Sequence, residues 1–145
     1  MPSFTFRRSN FLARQAARFR EAPRQIHAIV ERRVGAAVEE LLRHQFDTAT
    51  DPHDRPYKPP IDGHLPPMTR SRALRDGMRV VVVSGPGYVR VGVMSDRDYA
   101  RFLQEGTRKM SPRLIVPGAV LSGRWRAQIL GACNDSVREW FGSAK

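Results

Sequence analysis

The sequence has a single cysteine and no apolar run long enough to cross a membrane. Cys133 cannot form a disulfide within the chain, which is compatible with a reducing compartment. A membrane helix needs about 20 apolar residues, and the Arg-rich Met1–Arg8 segment lacks the apolar stretch of a secretory signal. We therefore expect no membrane association, and we expect Cys133 to behave as a small buried apolar residue.

Lysine is also scarce. Three of the 25 basic residues are lysines and the other 22 are arginines, and with 14 acidic residues they give a net charge of +11. One interpretation is that the protein works beside a polyanion, because excess positive charge attracts nucleic acid without sequence preference. The other is that a GC-rich genome favours arginine codons and that the charge is simply solvated. Both interpretations stay open, and sequence-specific reading of DNA is not expected.

Motifs for catalysis and ligand binding are missing as well. The chain has no Gly-x-Ser-x-Gly elbow, no recognisable carboxylate pair and no Cys/His pair at a known spacing. The Asp and His residues between positions 51 and 64 match no metal-ligand spacing. Gly85 and Gly87 join two predicted strands, whereas a phosphate-binding loop opens a helix. We expect neither an enzyme nor a metal or cofactor site.

The N-terminal third has the periodicity of helices. The pattern predicts one helix over residues 9–22, and a new helix start or a sharp kink at Ala22–Pro23, because proline disrupts a helix interior. From Arg24 to about Phe46 the helical signal is the strongest in the chain. Its apolar stripe contains Ile26, Ile29, Val30, Val34, Ala37, Val38, Leu41 and Leu42.

Residues 47–68 contain six prolines, which exclude a helix or a central strand. We expect an extended arm that crosses the surface of this domain or of a neighbour. A short helix over Thr69–Met78 follows, and then a hairpin turning at Ser84–Gly87. The valine-rich first strand is predicted to be covered on both faces. The second, Tyr88–Met94, alternates and is predicted to be covered on one.

The stretch Asp98–Pro117 begins as a short helix and stops at Gly106, where glycine can take a left-handed conformation. Glu105 is expected to cap the following loop or to pair with Arg108. Residues 114–116 can add a third strand. A last helix, from Gly118 or Ser122 to Phe141, carries a stripe expected to cover the sheet beside the long helix. Its members are Trp125, Ile129, Cys133, Val137 and Trp140 or Phe141.

Together these elements predict one α+β domain over residues 1–145. A small antiparallel sheet packs against a long N-terminal helix and a C-terminal helix. The predicted parts are N-terminal helices over residues 1–46, a long Pro-rich arm over 47–68, and the sheet, loop and last helix over 69–145.

Three segments also carry a family signature. They are Asp54-Arg-Pro-Tyr-Lys-Pro59, Arg72-Ala-Leu-Arg75 and Tyr99-Ala-Arg-Phe-Leu-Gln-Glu-Gly-Thr-Arg-Lys-Met-Ser-Pro-Arg113. In this order they resemble the tail-completion and head–tail joining proteins of tailed bacteriophages, also grouped as virion morphogenesis proteins, over about residues 40–141. The chain departs from the family pattern at Asp54-Arg55, where the family has a glycine, and at Leu114–Pro117, where it has Pro-Phe-Leu. Completion protein, terminator and adaptor therefore all stay open.

The resemblance implies a non-enzymatic α+β protein of the virion neck or tail, assembled in the host cytoplasm. Such proteins form rings, commonly hexamers, between portal or adaptor proteins and tail-tube or terminator proteins, and the phage genome passes through the lumen. We expect subunit contacts from the arm at Asp51–Met68 and from the loop at Glu105–Pro112. The expected interface residues are Tyr57, Pro59, Pro60, Glu105, Gly106, Thr107, Arg108, Lys109, Met110, Pro112 and Arg113.

The alternative function is a small basic nucleic-acid-binding protein. Single-strand binders place exposed aromatic residues among basic ones on a sheet face. Tyr88 is the one candidate on a predicted strand, because Trp125, Trp140 and Phe141 are expected in a helical core stripe.

Overall fold

The computed structural model describes residues 10–58, 73–108 and 111–143, with the side chains of the first helix described from Ala22 onward. The chain forms four helices and one hairpin in this part. These are α1 (Asn10–Thr48), α2 (Ala73–Asp76), β1 (Met78–Gly85), β2 (Tyr88–Ser95), α3 (Tyr99–Glu105) and α4 (Gly123–Gly142). The predicted α+β class with a small antiparallel sheet is confirmed, and the sheet packs against the long first helix. The prediction that the sheet also packs against the C-terminal helix is wrong, because α4 packs chiefly on α1.

Helix α1 runs without interruption through Pro23. The predicted new helix start at Ala22–Pro23 is therefore wrong. A proline removes one hydrogen bond, the one to the carbonyl four residues earlier. The strong helical pattern on its C-terminal side outweighs that loss, because tertiary packing of an apolar face stabilises a helix more than local propensity does.

The core lies along the second half of α1. Val34 and Val38 are fully buried, and the same stripe continues through Leu41, Leu42 and Phe46. Their spacing of three and four residues keeps them on one face of the helix. Each fully buried side chain of this size contributes about 1.5–3 kcal/mol of transfer free energy, so this stripe is the main stabilising element of the domain.

The hairpin has the predicted turn. Gly85 pairs with Tyr88, which leaves Pro86 and Gly87 as a two-residue connection. Gly87 has φ 78°, a left-handed value that favours glycine. Pro86 before it supplies the fixed φ of a first turn position.

The first strand is covered on one face, so the prediction that both faces are covered is wrong. The side chains that face the core are Met78, Val80 and Val82. A Cβ added to Gly35 on α1 would lie 3.7 Å from a methyl carbon of Val82, so the strand packs closely on this helix. Val81 and Val83 point the other way and are exposed. A run of valines has no polar alternation, and periodicity therefore could not reveal the uncovered face.

Helix α4 begins where one of the two predicted starts places it. Ser122 is its N-cap, and the Ser122 Oγ accepts a hydrogen bond from the Trp125 N–H at 3.4 Å. The chief contacts of α4 are with α1, which lies between α4 and the hairpin. Glu139 near the end of α4 links α4 to α1, because its carboxylate accepts hydrogen bonds from Arg32 and Arg33 on α1, each at 2.6 Å.

The predicted stripe on α4 divides between two faces. Trp125 is 3% exposed, whereas Phe141 is 62% exposed and Val137 is also exposed. Residues spaced by four drift about 40° around a helix at each step, because four residues turn it by about 400°. Over four steps the stripe therefore rotates from the core to the outside. Ser136 takes the buried position instead, and its Oγ donates to the Ala132 carbonyl at 2.7 Å.

Candidate partner-binding surfaces

The stretch Asp98–Pro117, which contains most of the family resemblance, ends its helix at a glycine, as predicted. Gly106 has φ 76° and ψ 176°, and its N–H donates to the Phe102 carbonyl at 2.8 Å. The positive φ agrees with the left-handed helical conformation that we expect, but the ψ near 180° is extended and differs from it. A side chain is not tolerated well in either region, so the position requires glycine.

Gln104 on α3 holds the segment that was predicted to be a third strand. Its Oε1 accepts from the N–H groups of Ile115 and Val116 at 2.7 and 3.1 Å, and its Nε2 donates to the Val116 carbonyl at 3.0 Å. The prediction of a third strand is wrong, since residues 114–116 pair with no strand in the described part of the chain. A side-chain amide satisfies the backbone groups that a ladder would have satisfied.

Two more residues fix the same segment. Gln45 on α1 is 4% exposed, and its Nε2 donates to the Ile115 carbonyl at 2.9 Å. The Tyr57 hydroxyl donates to the Leu114 carbonyl at 2.5 Å, and burial raises the pKa of this hydroxyl well above its usual range. Sequence reasoning missed Gln45 and Gln104. The signal for Gln45 was a polar residue between Leu42 and Phe46 on an apolar stripe.

The first part of the predicted arm is folded onto the domain. Asp51 Oδ1 accepts from the N–H groups of His53 and Arg55 at 2.8 and 2.9 Å, and the Arg55 Nε donates to Asp51 Oδ2 at 2.8 Å. Burial raises the pKa of Asp51, but these hydrogen bonds outweigh it and lower the pKa overall. Arg124 ties the turn to α4, with its Nε 3.0 Å from Asp54 Oδ1. The rest of the arm lies outside the described residues.

The expected interface residues fall into three groups. Tyr57 is 8% exposed and bonded within its own chain. Pro59, Pro60, Lys109 and Met110 lie outside the described residues. The remaining six lie at the end of α3 and on the two described segments that follow it, where Glu105, Thr107, Arg108 and Pro112 are exposed and Gly106 and Arg113 are half-buried.

Two of these residues have partners that the sequence did not identify. Glu105 pairs with Arg101 one helical turn earlier, at 3.1 Å, and not with Arg108 as expected. The Arg113 N–H donates to the Leu103 carbonyl at 2.7 Å, and this bond closes the loop onto the end of α3. The loop is therefore presented from a fixed base, with Arg108 exposed on it.

Three of the described elements carry large exposed apolar side chains. The largest set lies on the hairpin, where Val83 is 49% and Met94 is 62% exposed. We define the outer hairpin face as the outward side chains Arg79, Val81, Val83, Tyr88, Arg90 and Met94. Helix α3 exposes Tyr99 and Phe102, and α4 exposes Leu130, Val137 and Phe141. Extended apolar patches of this kind are typical of protein–protein contact sites.

A groove of about 640 Å³ lies between α1 and α4. Its lining includes four alanines and Gly131, together with Arg32, Arg33 and Arg124. These arginines are engaged with Glu139 and Asp54, so their charge is largely neutralised. The groove holds no arrangement of nucleophile and base.

The described residues contain no group of three or more His, Cys, Asp or Glu side chains that could hold a metal ion. Burial raises the pKa of the Cys133 thiol, which makes it a poor nucleophile. None of the described helices combines the length and the apolar character that a membrane span requires.

No protein-family model, curated protein or solved structure matches this chain.

Proposed function

We propose that this protein is a structural component of a tailed phage, which assembles into a ring at the head–tail junction or at the tail end. The observation that carries the proposal is the set of uncovered apolar side chains on three separate elements, the hairpin, α3 and α4. A domain of 145 residues that works alone has little reason to expose several such surfaces. The resemblance of the signature stretch supplies the phage setting, and it implies six subunits.

Ring assembly makes a specific demand on a subunit. A ring closes through heterologous contacts, in which one surface of a copy meets a different surface of the next. The loop that follows α3 is suited to such a contact. The Gln104 amide and the Arg113 N–H hold the residues on either side of it, and Arg108 is exposed. Flanks that are already held lose less conformational entropy on binding.

Nucleic-acid binding is the second candidate, and one observation favours it. Tyr88 is exposed on the outer hairpin face, with the guanidinium of Arg90 6.0 Å from its ring centroid. Stacking platforms for single strands combine several aromatic residues with basic ones. This face has one aromatic ring, and its other apolar residues are two valines and a methionine, which suit a protein partner better than bases.

The test is an assembly experiment with the full chain. We expect the purified protein to form rings visible by electron microscopy, or to co-purify with the products of neighbouring portal or tail genes. The double variant Arg108→Glu with Lys109→Glu should abolish assembly. A control variant, Arg24→Glu with Arg126→Glu, makes the same charge change on exposed helix positions and should leave assembly intact.

Two results would overturn the proposal. One is a wild-type protein that forms no ring and binds no portal or tail partner. The other is tight DNA binding at moderate salt by a protein that stays monomeric, because that result identifies the second candidate as correct.

A further inference from the structure

The outer hairpin face carries two arginines and no acidic side chain. Arg79 and Arg90 have no carboxylate partner among the described residues, whereas Arg75, Arg101 and Arg124 each have one. No outward position of either strand carries an acidic side chain. The face is therefore apolar at its centre and positively charged at two points.

The two faces of the hairpin differ in what covers them. A two-stranded hairpin is marginally stable by itself and is stabilised by packing against a helix. Helix α1 covers the inner face, and Glu31 on α1 accepts from the Ser84 N–H and from the Ser84 Oγ, both at 2.9 Å. Nothing in the described part of the chain covers Val81, Val83 and Met94. A matching partner is apolar, extended and neutral or acidic.

The chain contains a segment with this chemistry at residues 59–68. Its sequence is Pro-Pro-Ile-Asp-Gly-His-Leu-Pro-Pro-Met, with Asp62 as the only residue charged at neutral pH, in a protein whose net charge is +11. Ile61, Leu65 and Met68 supply apolar side chains. Prolines cannot donate to a strand ladder, and proline-rich segments instead lie across apolar and aromatic surfaces.

Length and anchoring fit as well. Ten residues in polyproline conformation span about 31 Å, and an eight-residue strand spans about 27 Å. Tyr57 before the segment is fixed by its bond to the Leu114 carbonyl, and Leu74 after it is buried in the core. Both flanks are therefore held by the subunit that contributes the segment.

We propose that residues 59–68 of one copy dock on the outer hairpin face of the next copy, with Asp62 opposite Arg90. The contact is heterologous and head-to-tail, as a closed ring requires. This inference rests on the proposed ring assembly and names the two surfaces that meet in it.

A charge swap tests the pairing in the full chain. Arg90→Glu and Asp62→Arg should each weaken self-association about tenfold, because each places like charges across the contact. The double variant Arg90→Glu with Asp62→Arg should recover most of it. The control Arg24→Glu should have no effect. Self-association is measured by light scattering over a concentration series, and equal urea midpoints establish that every variant is folded.

The outcomes separate this inference from the proposed function. If the wild type forms rings but the double variant does not regain association, the docking surface is wrong while ring assembly stands. If the wild type never assembles, the proposed function has failed and the inference with it. If Arg90→Glu leaves association unchanged and removes DNA binding, the face binds nucleic acid and the inference is overturned.

Discussion

Gln45 and Trp125 are 80 positions apart in the sequence, and the Trp125 Nε1–H donates to the Gln45 Oε1 at 2.9 Å. The Gln45 Nε2 donates in turn to the Ile115 carbonyl. One buried amide thus links α1, the segment after α3 and the first turn of α4. Helices α3 and α4, which present two of the three surfaces that we assign to assembly, are held in place by this link and by Gln104.

We predict that Gln45→Leu lowers the free energy of unfolding by about 2–4 kcal/mol. The substitution leaves the Trp125 N–H and the Ile115 carbonyl buried without partners, and each such group costs about 1–3 kcal/mol. Urea unfolding followed by tryptophan fluorescence measures the change. Gln128→Leu is the matched control, since Gln128 is exposed on α4 and should change stability by less than about 0.5 kcal/mol. Equal stability of the two variants would contradict the role of the Gln45 amide.

Gly106→Ala should destabilise the protein by about 1–3 kcal/mol, because φ 76° with ψ 176° is a region that only glycine adopts without strain. The control is Gly118→Ala. Gly118 has no positive φ, and a Cβ there meets nothing within 4 Å. That substitution should be neutral or slightly stabilising, since it lowers the entropy of the unfolded chain. Thermal unfolding of both variants decides the point, and a Gly106 variant as stable as the Gly118 variant would refute it.

The hairpin turn and the apolar stripe of α1 could be predicted because local residues determine them. Pro86 and Gly87 restrict the turn, and the valines and leucines of α1 repeat at helical spacing. The uncovered face of β1 could not be predicted in the same way. Which face is covered depends on the position of α1. Because residues 80–83 are all valine, the inward and outward positions of the strand have the same side chain.

The errors at residues 114–116 and on α4 have a similar origin. Leu114-Ile-Val116 has strand-forming residues, but the Gln104 amide satisfies its backbone from α3, and no local pattern indicates such a long-range bond. On α4, spacing by four was extended from Trp125 to Phe141 without the rotation that accumulates over several turns. The interface assignments depend on contacts between copies, which a sequence pattern alone does not determine.

Stability should fall when the pH is lowered below about 4. Hydrogen bonds from the Ser84 N–H and hydroxyl lower the pKa of Glu31, and those from Arg33 and Arg32 lower the pKa of Glu139. Since both folded-state pKa values lie below the unfolded ones of about 4.3, their stabilisation is fully present above that pH. It is lost as the pH falls through the lowered values.

Urea unfolding at neutral pH and at about pH 3 measures this dependence. In Glu31→Gln the free energy of unfolding should differ less between the two pH values than it does in the wild type, because the group that binds a proton on unfolding is gone. Glu39→Gln is the control, since the Glu39 side chain is exposed on α1 and makes no hydrogen bond to the described residues. An unchanged difference in Glu31→Gln would show that the Ser84 contact does not stabilise the folded state.

The two faces of α4 should respond differently to truncation. Trp125→Ala removes a buried ring and its bond to Gln45, and we expect a loss of about 3–5 kcal/mol. Phe141→Ala removes an exposed ring whose main described contact is with the neighbouring Trp140 at 4.8 Å, and it should cost less than about 1 kcal/mol. Val137→Ala should likewise be nearly neutral. Urea midpoints for the three variants therefore test which side of α4 faces the core. A loss at Phe141 as large as that at Trp125 would mean that the apolar stripe stays buried to its end and that α4 offers no surface for assembly.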